Sequence, residues 1–186
     1  MNSNKLRCSW VNLKNERYIK YHDEEWGKLT TDDKSLFELF ILESFQAGLS
    51  WECVLNKRDN FRAAFDNFDI EKIILYGDEK ISRLASNAGI IRNRRKIIAA
   101  IENAKVFKAI SLEFGGFYSF LSGFTEGKII FEEFTERTTS PLSDKISLEL
   151  KKRGMSFVGS TIIYSFLQAA GIINGHSREC FCFSFS

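Results

Sequence analysis

The stretch Leu36-Phe37-Glu38-Leu39-Phe40-Ile41-Leu42-Glu43-Ser44-Phe45 leaves the chain few ways to fold. Seven of these ten residues are large and apolar, and they fall on every side of a 3.6-residue helix. The pattern therefore predicts a helix buried on all faces. Glu43 breaks it. An ionised carboxylate is costly to bury unless it is paired, protonated or turned toward a polar cavity, so Glu43 either sits at the core rim with its head in water or faces a pocket. The helix is expected to stop at Ala47-Gly48, glycine being the usual left-handed terminator, and Ser50 to cap a second helix that starts at Trp51. A carboxylate, a tight turn and an indole then lie within one turn of each other.

At 186 residues the chain is long enough to bury roughly 70% of its unfolded surface as one ordinary domain. A single Pro leaves no room for a linker, so one domain over residues 1–186 is expected. Long runs of Leu, Ile, Lys, Glu and Phe point to an all-α fold. The formal net charge of +2 excludes nothing by bulk electrostatics, so any basic surface must be local. No stretch approaches a membrane span and the N-terminus has no apolar signal region, which predicts a soluble cytoplasmic protein without a membrane partner. Four Cys in such a compartment read as thiols or metal ligands rather than disulfides.

Residues 8 to 27 hold two Trp, two Tyr, one Cys and one of the chain's two His, with no clean period; an irregular aromatic segment is expected. After Trp51 one or two short helices should reach Phe65, with further helices from Ile70 to Tyr76 and from Glu79 to Ser86. A Gly89-containing hairpin and a long helix from about Arg92 to Ser111 follow. Cations at Arg92, Arg94, Arg95 and Lys96 oppose the dipole of that helix, which suits a bound anion such as a DNA phosphate, although a solvated basic face is the plainer alternative. The run Glu126 to Glu136 is polar and could hold a short strand. Pro141 to Arg153 reads as a helix whose terminal Lys151-Lys152-Arg153 serves the helix end as readily as DNA. Gly159 to Ala170 reads as a last buried helix, stopped by Gly171.

His176 and Cys180 are spaced to face one metal ion. Cys8 and His22 supply a second Cys/His pair at the other end of the chain. Together they complete a tetrahedral Cys₂His₂ set, and such a closed set is structural, with no position left for a catalytic water.

Six blocks resemble one family, 3-methyladenine DNA glycosylase I, a bacterial base-excision repair family. They are Cys8-x-Trp10, Tyr18-x-x-Tyr21-His22-Asp23-x-Glu25-Trp26-Gly27, Leu42-Glu43-x-x-Gln46-Ala47-Gly48-Leu49-Ser50-Trp51, Ala88-Gly89-Ile90-Ile91-Arg92-Asn93-Arg94-x-Lys96-Ile97, Leu150-Lys151-Lys152-Arg153-Gly154-x-x-Phe157-Val158-Gly159-x-Thr161 and Tyr164-Ser165-Phe166-x-Gln168-Ala169-x-Gly171. The resemblance implies an all-α helix-hairpin-helix DNA glycosylase fold, with the hairpin at residues 79 to 111 and one structural zinc on Cys8, His22, His176 and Cys180 tying the termini together. It implies a pocket in which Glu43, Tyr21 and Trp51 hold a flipped base inside an aromatic wall of Trp10, Tyr18 and Trp26. By the same resemblance Gln46, Gly48 and Leu49 enter the DNA where the base has left, and Gly89, Arg92, Arg94 and Lys96 hold the strand. The implied reaction is hydrolytic excision of N3-methylated adenine from double-stranded alkylated DNA by a monomer, with free 3-methyladenine as product and an abasic site left behind. Ser44-Phe45 and Met155 depart from the family's pattern.

Physical chemistry fits that reading. A stacked base must be flipped to be reached, at a cost that aromatic stacking offsets. An N3-methylated adenine is cationic and already a good leaving group, so its site needs preference for a cation more than acid catalysis; ring faces and a carboxylate supply that preference. No Lys lies in the pocket stretch for Schiff-base chemistry, which predicts a glycosylase that does not cut the strand. A non-catalytic DNA-binding module would leave Glu43 and the clustered aromatics without a task. A zinc hydrolase would need an open metal position.

Overall fold

The computed structural model describes residues 5–132 and 137–183, and it is mostly helical. The helices are α1 (Glu16–Glu24), α2 (Asp33–Gln46), α3 (Trp51–Leu55), α4 (Arg58–Ala64), α5 (Ile70–Ile73), α6 (Asp78–Ser86), α7 (Arg94–Phe114), α8 (Phe117–Ser122), α9 (Pro141–Lys152) and α10 (Ser160–Ala169). A two-residue parallel pair, β1 (Ile130–Phe131) with β2 (Ile173–Asn174), is the one strand pairing among the described residues. The expectation for Glu126 to Glu136 thus holds at β1, while residues 133–136 lie outside the described part.

Helix α2 is the axis of the core. Asp32 caps its start by accepting from the Ser35 N–H, and from Leu36 to Phe45 every residue except Glu38 is buried. It packs against α3, α7, α8 and α10. Phe37 and Phe40 meet Phe107 of α7 edge-on or tilted, with centroids 5.1 and 6.3 Å apart, and Phe107 stacks on Phe117 at 3.8 Å. This aromatic packing fixes the direction in which α2 delivers its C-terminal end. Phe45, one of the family departures, points into the core against Phe61 at 4.9 Å rather than toward the turn beyond it; Met155 is buried likewise.

The N-terminal region departs from expectation. Glu16–Glu24 forms a helix, started by the Asn15 side chain, which accepts from the N–H groups of Arg17 and Tyr18. Tyr18, Tyr21 and His22 share its inner face at helical spacing, but the helix is only nine residues long and that face is built of polar-tipped rings rather than aliphatic side chains, so its period is weak in the sequence. At the other end of the fold Gly171, with φ 72°, lets the chain at Lys28-Leu29 pass so closely that a Cβ there would lie 2.3 Å from the Lys28 carbonyl carbon. The Gly27 and Thr30 N–H groups donate to the Gln168 and Ala170 carbonyls across this crossing. Residues 27 to 30 are thereby held against the end of α10, and the Phe181 N–H donates back to the Leu6 carbonyl.

Candidate functional site

Where α1, the C-terminal end of α2, α3 and α10 converge there is a cavity of about 270 Å³. Its wall includes Trp10, Tyr18, Tyr21, Trp26, Glu43 and Trp51. These are the six residues the sequence assigns to a base pocket. Tyr21 and Trp51 approach with ring centroids 5.1 Å apart, and Trp10 packs on both Tyr18 (5.5 Å) and Trp26 (4.8 Å). Ser50 places Trp51 as expected, its side chain capping α3 by accepting from the Cys53 N–H.

Glu43 faces the cavity, not the solvent. It is 3% exposed, its Oε2 has no hydrogen-bond partner among the described residues, and the Trp51 Nε1–H has none either. Burial alone pushes the Glu43 carboxyl from 4.5 to about 8. Tyr21 is also driven up, first by burial and then by the negative charge of Glu43. Buried polar groups are almost always satisfied, so an orphaned carboxyl oxygen and an orphaned indole N–H in one aromatic cavity mark a place for a ligand with polar edges and a charge complementary to a carboxylate.

Sequence reasoning missed four further lining residues: Gln46, which it assigned to the DNA-entering turn, Arg137, and Ser165 and Gln168 of α10. A signal exists for two of them. Ser165 and Gln168 are polar interruptions of a buried helix, as Glu43 is of α2, and both belong to one of the six family blocks.

Beyond the pocket the chain turns at Gly48, with φ 80° and open space around the position a Cβ would take. Leu49 beside it is 42% exposed, a large apolar side chain left in solvent on the turn between Gln46 and Trp51, which both line the pocket. The expected basic hairpin comprises α6, the turn from Asn87 to Asn93 and α7. Asn93 caps α7, and Arg92, Arg94 and Arg95 are exposed around its start; Arg94 makes a long pair with Asp78 at 3.8 Å. Gly89 sits close under Asn60, whose side-chain amide donates to the Gly89 carbonyl at 3.2 Å. Lys96 departs from the expected exposed basic face. It is 6% exposed and its ammonium donates to the carbonyls of Phe45 at 2.8 Å and Ala47 at 2.6 Å.

Cys8, His22, His176 and Cys180 converge behind the aromatic wall, all buried, with their ligand atoms within 4.8 Å of one another. Cys8 Sγ and Cys180 Sγ each lie 3.5 Å from His176 Nδ1, and Cys180 Sγ lies 3.4 Å from His22 Nε2. Tetrahedral zinc with its usual bond lengths has S to N edges of about 3.6 Å, so this donor set fits the ion. The second nitrogens are also committed: His22 Nδ1 meets Asp23 at 2.8 Å and His176 Nε2 meets the Trp26 carbonyl at 3.2 Å. Such outer partners orient metal-binding imidazoles. Trp10 packs on His22 at 5.3 Å and Trp26 on His176 at 4.6 Å, so the cluster and the pocket share a wall.

Three comparisons bear on this arrangement. The family described as methyladenine glycosylase matches residues 10–183. A protein of Escherichia coli (strain K12) named DNA-3-methyladenine glycosylase 1 is 44% identical over 181 residues, covering 95% of this chain and 96% of that protein. A crystal structure of a 3-methyladenine DNA glycosylase I matches with a TM-score of 0.90 at 44% identity, covering 96% of this chain and 100% of that one. A variant 3-methyladenine DNA glycosylase I, solved in complex with 3-methyladenine, matches with a TM-score of 0.89 at 32% identity over 94% of this chain and 95% of that one.

Proposed function

Because the chain belongs to the methyladenine glycosylase family, we propose that it is a DNA-3-methyladenine glycosylase. In this reading it flips an N3-methylated adenine out of double-stranded DNA and hydrolyses its glycosidic bond. The observation that carries the reading is the unpartnered Glu43 carboxyl in a cavity walled by five aromatic side chains. The damaged base is a cation in DNA. Ring faces attract cations, and a desolvated carboxylate attracts them more strongly than it would in water. Undamaged adenine has no charge with which to offset the burial of a carboxylate, so the pocket selects by charge as much as by shape. Tyr21 and Trp51 provide the stacking that offsets the cost of unstacking in the duplex.

Leu49, exposed on its Gly48 turn, enters the space left by the flipped base with Gln46 behind it. The helix pair α6–α7 acts as a helix-hairpin-helix that grips the backbone through its turn and through Arg92 and Arg94. Zinc is the metal we assign to Cys8, His22, His176 and Cys180; when bound it closes the termini and supplies no catalytic water, because all four positions are taken by protein. The working form is a monomeric single domain in the cytoplasm.

Two outcomes test this reading. Incubated with N-methylated duplex DNA, the protein releases free 3-methyladenine, identified by chromatography, and leaves the strand uncut until alkali or heat opens the abasic site. Among the described residues no lysine lines the pocket to form a Schiff base, and Lys57 is committed to the Ala88 carbonyl at 3.3 Å. Failure to release any base, with the DNA bound intact, would make the chain a binding module. The second outcome concerns salt. Replacing Arg92 and Arg94 with Ala flattens the slope of log K against log salt for undamaged duplex by roughly 0.9 for each phosphate that the protein no longer neutralises. An unchanged slope would remove the hairpin from the DNA surface.

A further inference from the structure

Lys96 belongs by sequence to the basic start of α7, yet its ammonium does not face outward. It crosses to the carboxyl end of α2 and donates to the carbonyls of Phe45 and Ala47 at 2.8 and 2.6 Å, with the Phe157 ring 5.9 Å away. Helix ends leave carbonyls without intrahelical partners and carry partial negative charge, and a cation there is favourable. Helix α2 has no basic residue in its own last turn. Lys96 therefore supplies from the hairpin helix the cation that α2 lacks, at the point where the chain leaves Glu43 and turns through Gly48 to Leu49. Burial alone shifts the Glu43 carboxyl, so Lys96 does not act by tuning Glu43.

We propose that Lys96 is a positioning residue that locks the Gln46–Leu49 turn to the start of α7, so that DNA gripped by the hairpin meets the flipping turn and the pocket in one fixed register. The proposal rests on the reading of that turn as the DNA-entering element. Lys96 contributes to excision from duplex DNA, and neither to phosphate binding nor to recognition of the free base. Displacing a positioned group by about 1 Å can cost on the order of 100-fold in rate, so loss of both ammonium hydrogen bonds has a large effect for a residue remote from the reacting bond.

The test compares Lys96→Met, which fills the buried channel without a donor, with Lys96→Arg and Leu49→Ala on an alkylated duplex. For Lys96→Met the single-turnover rate at saturating enzyme falls by roughly 10- to 100-fold. Half-saturating concentration, salt slope, the pH midpoint of the rate and affinity for free 3-methyladenine stay within about threefold of wild type. Lys96→Arg, which keeps charge and donors, recovers part of the rate. A Lys96→Met rate within about twofold of wild type overturns the proposal, and so does weaker DNA binding with a flatter salt slope and an unchanged saturated rate, which would make Lys96 a phosphate ligand. If Lys96→Met does not fold, Lys96→Gln, which keeps one donor, is judged by the same split. Leu49→Ala separates the two levels of the argument: wild-type excision by Leu49→Ala removes the DNA-entering turn itself, whereas slow excision by Leu49→Ala beside normal excision by Lys96→Met removes only the role of Lys96.

Discussion

Glu43→Gln slows single-turnover excision of 3-methyladenine by roughly 10- to 150-fold, the range set by losing a charge-assisted hydrogen bond worth about 1.5–3 kcal/mol. The fold survives, and stability at neutral pH rises. The sign follows from the shift. The Glu43 carboxyl loses its proton near 4.5 when unfolded and near 8 when folded. Between those values the folded state binds more protons, so stability falls as pH rises through the window. Removing the titrating group removes that loss, worth roughly 3 kcal/mol at pH 7. Activity has the opposite dependence. A cationic nucleotide pairs with the carboxylate and expels the proton, so wild-type kcat/KM rises toward pH 8 by up to about tenfold per unit, whereas Glu43→Gln is flat over the same range. A variant that excises within about twofold of wild type would return Glu43 to the role of a core-rim carboxylate.

Breaking the Cys/His cluster has the largest effect on stability. The expected result is one zinc per chain in protein purified without chelator, and its loss from Cys8→Ser combined with His176→Ala. The Phe-rich core around α2 does not depend on the cluster, so the double variant remains folded there. Its termini fray, however: Trp26 loses the His176 imidazole it packs on, and His22, on which Trp10 packs, is no longer fixed by the ion. A loss of roughly 3 kcal/mol or more lowers Tm by about 10 °C in a domain of this size. Excision slows as the aromatic wall loosens. Metal content and Tm unchanged in the double variant would show that these four residues do not hold the ion.

Much of this architecture is legible in the sequence itself. Helix α2 can be read because a run apolar on every face has one physical solution, and Glu43 stands out as the residue that violates it. Gly48, Ser50 and Trp51 can be read because terminator and cap chemistry is local. The Cys/His cluster can be read because His is rare in this chain and each His has a Cys nearby in sequence. What stays hidden is tertiary. Helix α1 is short and its inner face of Tyr18, Tyr21 and His22 is made of polar-tipped rings, so its period is weak in the sequence, and an Asn such as Asn15 marks a cap only once the helix beyond it is known. Lys96 is indistinguishable in sequence from Arg94 and Arg95, and only the approach of α2 to the start of α7 turns it inward. Ser165, Gln168 and Arg137 acquire meaning from the cavity, which no local pattern describes.

The pocket holds a desolvated carboxyl awaiting a cation. This is tested most directly by following the side-chain carboxyl of Glu43 by carbon NMR in protein labelled at glutamate, with Glu43→Gln to assign the signal. The account predicts a midpoint of about 8 in the free protein and a lower one when an N3-methylated adenine nucleotide occupies the pocket. A midpoint near the ordinary value of 4.5, unchanged by the ligand, would contradict it.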